Sequence, residues 1–396
     1  MIAVKNDLKI LQDRTGKRLK EYHVEVVNDE LIVTDEEGDL FDYNPTNKES
    51  QRIQETLFHE KQTIIEGCLF GVDINPNSVK ICRLRLWIEL LKNAYYKALS
   101  SLDRAGGEAL ETLPNIDINI KCGNSLVSRF AIDADLSQAL KKSKWTIDSY
   151  RIAVDTYRNA ESKEQKREME KLIGDIKSDF RSEISLNDPK IKKLRKLAGD
   201  LFTMINQTQL FEMGKKEKVD WNKKVLQLTE ETQKIETEIE EIKSNKIFEN
   251  AFEWRFEFPE VLNDEGDFVG FDVVIGNPPY GVNFNKENGK FYDNLYKTFN
   301  LRGESYTLFI EKAISVLNKS GHFGFIIPDT ILNLGFTETT RKFILKNTKV
   351  SELTLLPSNV FVDATVDTIL IFLQKDILID EYNNVNVLVN IFDKKI

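Results

Sequence analysis

Apolar and polar residues alternate through "YHVEVVND" and "ELIVTDEEGDLFDY", and that alternation, with its "EEGD" turn, predicts a short hairpin. A helix follows over "KESQRIQETLFHEKQTIIEG". In "CLFGVDINPNSVKICRLRLWIELLKNAYY", Leu69–Ile74 reads as a buried strand, and "NPNS" as a turn in which Ser78 caps the next helix. That helix is expected to turn Ile81, Leu84, Leu86, Ile88 and Leu91 inward. "IDINIKCGNSL", Ile116–Leu126, is the next strand. Strand, helix, strand is the unit of a parallel α/β sheet.

The period then changes. Leu228, Thr232, Ile235, Ile239 and Ile242 recur at steps of three and four, and so do Met169, Leu172, Ile176 and Phe180. These are coiled-coil-like stripes, and they predict a helical arm inserted between two strands. The arm reads first as a structural spacer, with DNA contact or partner docking as alternatives. After it, "FDVVIGNPPY" ends a buried strand and "SYTLFIEKAISVLNKSG" is a helix closed by Gly321. "HFGFIIPDTIL" is a buried strand and "TETTRKFILKNT" a helix, while "VSELTLLP", "VDTILIFLQK" and "VNVLVNIF" are strands. The chain is α/β, with a remnant and hairpin over 1–60, core parts over 61–140 and 251–396, and the arm over 141–250.

Composition narrows the class. The 396 residues are 41% hydrophobic and 30% charged, a globular balance. No apolar run approaches the roughly 20 residues that cross a bilayer, so no membrane role is expected. Three cysteines without a close pair and three scattered histidines fit a reduced, cytoplasmic protein without a metal site. The net charge of −9 argues against wholesale coating of nucleic acid. The charge is uneven: residues 141–246 hold 24 Lys+Arg against 20 Asp+Glu.

The candidate chemistry lies in "FDVVIGNPPY". Ligands of open parallel sheets bind beyond the carboxyl ends of strands, where Asn277, Pro278, Pro279 and Tyr280 stand. Two prolines make a stiff turn and remove two N–H donors. The Asn277 side-chain oxygen and the Pro278 carbonyl are left as acceptors beside an aromatic face, which suits a flat group bearing NH₂. Accepting both N–H bonds of such an amine stabilises the charge that develops when it attacks an already activated methyl donor.

These residues carry a resemblance. "FDVVIGNPPY" resembles motif IV of the adenine-N6 DNA methyltransferases. "LFGVDINPNSVKICRLRLWIELL" and "INIKCGNSL" resemble the second and third motifs of the type IIG restriction-modification subgroup. "GHFGFIIPDTIL" and "NVFVDATVDTILIFL" resemble its late motifs, so the likeness runs in order from about Cys68 to Lys375. It implies a Rossmann-like class I methyltransferase domain that transfers a methyl from S-adenosylmethionine to an adenine flipped out of double-stranded DNA. It places Asp73 on the cofactor ribose, Asn124 on its adenine edge, and Phe361 opposite Tyr280 around the target base, and it calls for no metal.

The family's Gly-rich loop, D-P-A-x-G-S-G, has no counterpart here, and no target-recognition segment follows the late motifs. The expectation is therefore an incomplete domain, truncated at both ends, that binds the cofactor weakly and is inactive alone. A partner chain would supply the first motif and target recognition. Competing readings are a non-catalytic remnant or interaction subunit, and an N-P-P-Y enzyme acting on protein glutamine or RNA.

Overall fold

In the computed structural model, residues 1–97, 110–187, 189–206, 214–244, 246–281, 284, 286–301, 303–357, 366–375 and 387–391 are described. They form α1 (Ile2–Asp7), β1 (His23–Val27), β2 (Glu30–Thr34), α2 (Lys48–Cys68), β3 (Gly71–Asp73), α3 (Pro76–Leu91) and β4 (Ile120–Cys122). The helices α4 (Ser137–Lys142), α5 (Ile147–Arg158), α6 (Lys163–Asn187), α7 (Pro189–Asn206), α8 (Lys215–Ser244) and α9 (Trp254–Glu257) follow. The chain closes with β5 (Phe271–Gly276), α10 (Lys286–Leu295), α11 (Tyr306–Val316), β6 (Leu317–Pro328), α12 (Glu338–Asn347), β7 (Thr348–Leu355), β8 (Thr368–Lys375) and β9 (Leu388–Ile391). Two compact units result: Met1–Gly123 with Ile152–Ile173, and Asn124–Arg151 with Gly174–Ile396. No helix among the described residues is long and apolar enough to cross a membrane.

In the first unit, β1 and β2 pair antiparallel around Asn28 and Asp29, both left-handed. Asn and Asp tolerate that conformation, and a hairpin turn of this kind matches the strand twist. α2 starts where Asn47 accepts from Glu49 N and Ser50 N, and its last carbonyls are tied by a distant residue. The Asn119 amide donates to Glu66 O at 2.7 Å and Leu69 O at 3.1 Å, while its oxygen accepts from Arg158. Because Asn119 is committed to that buried cap, residues 116–118 form a 3₁₀ turn. The expected strand over 116–126 shrinks to β4, which pairs in parallel with β3.

Three further expectations for this unit are corrected. Asn75, not Ser78, caps α3, accepting from Asn77 N with Pro76 at the first helical position. Leu69–Ile74 is not a buried strand, since Leu69 and Ile74 are exposed on either side of β3. Nor does α3 turn its whole apolar set inward. Val79 and Leu90 are buried and Leu86 is partly so, but Ile81 is 59% exposed, and Leu84, Ile88 and Leu91 share that open stripe.

In the second unit the sheet order is β5-β6-β8-β7-β9, with β5 parallel to β6 and β8 antiparallel to both β6 and β7. Phe323, Phe325 and Ile327 of β6 and Ile369, Ile371 and Leu373 of β8 form one face, packed with Tyr306, Ile310 and Ile314 of α11 and Ile344 of α12. Gly321 does not close α11. The helix stops at Val316 because Leu317 is already extended, and Gly321 lies inside β6 against the Phe271 carbonyl, where a side chain would not fit. The helices α7 and α8 pack along each other. Thr232 and Ile235 are buried on the expected stripe of α8, as are Ile176 and Phe180 on α6.

Candidate active site

Strand β5 delivers the N-P-P-Y segment. Val274 packs into the core of its unit, and Gly276 pairs with Phe325, whose ring would stand 3.0 Å from any added Cβ. Glycine at this last strand position is therefore a packing requirement. The strand is not buried as its apolar run suggests: Val273 is 58% and Ile275 79% exposed, because among the described residues β5 lies at the sheet edge and nothing covers its second face.

Beyond Gly276 the backbone leaves the sheet. Asn277 and Pro279 are exposed, Pro278 is buried, and Tyr280 is half-buried against the core. The Tyr280 hydroxyl lies 3.4 Å from Asn277 Oδ1. The turn is held from the inside by two residues that sequence reasoning did not single out. Ser305, 3% exposed, donates from Oγ to the Pro279 carbonyl at 2.6 Å. Glu304 Oε2 accepts from the N–H of Gly281, which is left-handed at φ +77°. Ser305 occupies the N-cap position of α11 yet makes no capping bond there. In the sequence, a serine just before a helix reads as an ordinary N-cap, so nothing there signals that its hydroxyl serves elsewhere.

The other expected residues are placed as follows. Asp73 ends β3, exposed, with Oδ1 accepting from Asn75 N at 2.6 Å. Asn124 belongs to the second unit. Its N–H donates to the Asn250 carbonyl and its Oδ1 accepts from Leu126 N at 3.1 Å. Burial raises the Tyr292 phenol above its ordinary range. Phe361 lies outside the described residues.

Burial also shifts two charged groups, Glu253 and, on α11, Lys312. Glu253 accepts from the N–H groups of Arg129 and Phe130, yet burial still raises its carboxyl. Burial likewise pushes Lys312 down to about 8, with its ammonium 5.6 Å from the Tyr296 ring centroid.

The profile of the Eco57I restriction-modification methylase family matches residues 67–361. The chain belongs to that family. The matched span runs from before β3 to beyond β7 and includes the helical arm. The chain is 28% identical over 344 residues, 81% of its length, to a Methanocaldococcus jannaschii protein named as a type II restriction enzyme and methyltransferase. It is 35% identical over 112 residues, 27% of its length, to the Escherichia coli type II restriction enzyme and methyltransferase RM.Eco57I. The chain spans 27% of the first relative and 11% of the second. Among solved structures, a Listeria monocytogenes protein titled a class I S-adenosylmethionine-dependent methyltransferase aligns over 66% of the chain and 90% of itself, at 18% identity and a TM-score of 0.27.

Proposed function

We propose that this chain is the catalytic core of an adenine-N6 DNA methyltransferase of the type IIG kind, acting in the cytoplasm on double-stranded DNA. The observation that carries the reading is the pinned turn: an exposed asparagine at the carboxyl end of a strand, two prolines after it, and a carbonyl held by a buried serine.

An aromatic amino group is a poor nucleophile because its lone pair is delocalised into the ring. Asn277 Oδ1 and the Pro278 carbonyl accept its two N–H bonds, which favours a pyramidal nitrogen and stabilises the charge that builds on it during attack. Pro279 stiffens the turn, and Ser305 and Glu304 fix it before the base arrives, so little reorganisation is needed. Tyr280 is the stacking plate for the flipped adenine, and Phe361 its opposite plate. S-adenosylmethionine, when bound, supplies a methyl group already activated on a sulfonium, so the transfer calls on no metal. Asp73 fits the ribose hydroxyls, being an exposed acid at a strand end. Asn124 is assigned the adenine edge of the cofactor.

A further polypeptide segment is part of the proposal. It supplies the Gly-rich loop, target recognition and a strand for the outer edge of β5. Among the described residues β5 pairs with β6 alone, and Val273 and Ile275 stand open beside that edge. The chain by itself then binds the cofactor weakly and transfers no methyl group. Micromolar binding in a calorimetric titration would refute that part.

The central reading is tested in cells that carry the gene. N6-methyladenine is mapped across genomic DNA with the natural gene and with Asn277→Ala. Loss of a recurring methylated site in the variant, with transfer down by about 10² or more, supports the reading. An unchanged map, or methylation of RNA or protein glutamine instead, overturns it.

A further inference from the structure

The chain is acidic overall, at −9, but one stretch runs strongly the other way. Residues 189–226 hold ten Lys+Arg and four Asp+Glu, net +6, which leaves 45 against 60, net −15, for everything else. This stretch is α7 and the first part of α8. The half-buried positions of α7, Leu194, Leu197, Leu201 and Met204, recur at helical spacing, and so do Trp221, Val225 and Leu228 of α8. With these positions withdrawn, Lys192, Lys193, Arg195 and Lys196 of α7 are left exposed, as are Lys216, Lys218, Lys223 and Lys224 of α8.

None of these eight cations makes an ion pair or side-chain hydrogen bond among the described residues. Some lysines elsewhere are paired, as in Lys5–Glu60, Lys61–Glu89 and Lys177–Glu257. Like charges three and four apart on one helix repel by a few tenths of a kcal/mol per pair, so the clustering destabilises α7 until an anion neutralises it. Four cations fall within about 6 Å of helix rise. A ligand able to meet them all must carry dense, regularly spaced charge. Duplex DNA does, with about one charge per 1.7 Å of axis. The acidic remainder of the chain would repel such a polyanion and direct it to this face. α8 is about 45 Å long by its 30 residues, enough to follow more than one turn of duplex.

We propose that the α7–α8 arm is a sequence-independent grip on the phosphate backbone of duplex DNA. This rests on the proposed DNA substrate. Of the three readings of the arm, structural spacer, DNA contact and partner docking, this proposal takes the second.

The test uses the full chain and a fluorescent duplex of about 30 base pairs, with anisotropy followed across a salt series. Lys192→Glu, Lys193→Glu, Arg195→Glu and Lys196→Glu are combined in one variant. Lys9→Glu, Lys20→Glu, Lys346→Glu and Lys349→Glu, exposed residues outside the arm, form a control of equal charge change. The arm variant should bind at least tenfold more weakly than the control at 0.1 M salt. Its slope of log affinity against log salt should be shallower by about 3.6, near 0.9 for each of four lost phosphate contacts. A glutamine version of the same four positions, with helicity checked by circular dichroism, should show the same direction. Equal binding by the arm and control variants overturns the arm proposal while leaving the methyltransferase reading standing. A natural chain that binds no duplex even at low salt overturns the arm proposal too, and the adenine-methylation map then decides the other reading by itself. Binding of poly-glutamate or anionic vesicles as tight as that of the duplex at equal ionic strength makes the arm a general anion surface, and also overturns it.

Discussion

The two faces of the five-stranded sheet are built from the same residue types and end in opposite environments. On one, Phe323, Phe325, Ile327, Ile369, Ile371 and Leu373 are buried under α11 and α12. On the other, Val273 and Ile275 of β5 and Phe372 of β8 are exposed. Register makes this second set a surface and not a scatter: Ile275 pairs with Gly324 and Gly324 with Phe372, so the three form one row. Runs such as "VVIG" and "TILIFL" are apolar on both faces, the signature of strands covered on both sides. The difference teaches that this sequence encodes a second cover for the sheet, and that β5, which carries the N-P-P-Y segment, is the strand most in need of it.

The sharpest break of the comparison is a pair of equal truncations on opposite faces. Ile327→Ala, at a fully buried site, should lower unfolding free energy by about 2–5 kcal/mol, from lost transfer energy plus a cavity. Ile275→Ala should change it by less than about 0.5 kcal/mol, the range of surface substitutions. Urea midpoints followed by circular dichroism check both. Equal losses would mean that the second face is covered in solution as well.

That contrast also marks where the sequence was legible. Elements whose signals are local were readable: α2 spans Lys48–Cys68 against an expected 48–67, α12 falls on its helical stretch, and the N-P-P-Y segment ends β5. Burial was not legible, because alternation and apolar runs report which face a residue takes but not whether anything covers it. Hence the open stripe on α3 and the open edge of β5. Long-range side-chain bonds were also hidden. Asn119 caps a helix about 50 residues away, and Ser305 holds a carbonyl 26 residues back. Nothing at 116–119 or 303–306 names those partners. Of the candidate site, the sequence showed the acceptors but not the two residues that fix them.

The covering layer has a pH-dependent weakness of its own. Burial lowers Lys312 of α11 to about 8, below its ordinary value of 10.5. Between these values the unfolded chain binds more protons than the folded one, so stability should rise as pH goes from 8 to 10.5. Below pH 8 the full penalty of charging a buried amine persists, of order 1–3 kcal/mol. Lys312→Met should therefore stabilise the protein at pH 7 and flatten its stability between pH 8 and 10. A variant with unchanged pH dependence would place the ammonium in water.

Ser305 tests the other side of the comparison, where a buried group serves an exposed turn. Ser305→Ala removes the bond to the Pro279 carbonyl and should cost about 1 kcal/mol of stability. Its larger effect should be on methylation in cells, through a loosened Asn277. Ser305→Thr, which keeps the hydroxyl, should restore part of that activity. Loss of stability without loss of methylation would make Ser305 a packing residue only.

The smallest effect on stability should come from the open face, and it is the most informative about partners. Val273→Thr with Ile275→Thr keeps β-branched residues on β5, so strand propensity and the parallel pairing with β6 are retained. Unfolding free energy should stay within about 0.5 kcal/mol. What should change is association. An edge strand with exposed apolar side chains is a template for self-pairing, so the natural chain should show concentration-dependent light scattering that the double variant lacks. If the proposed strand docks on this edge, the same variant should lose methylation in cells while its isolated stability is untouched. Full methylation by the double variant would mean that the completing segment does not use β5, and that the two faces differ for a reason unrelated to catalysis.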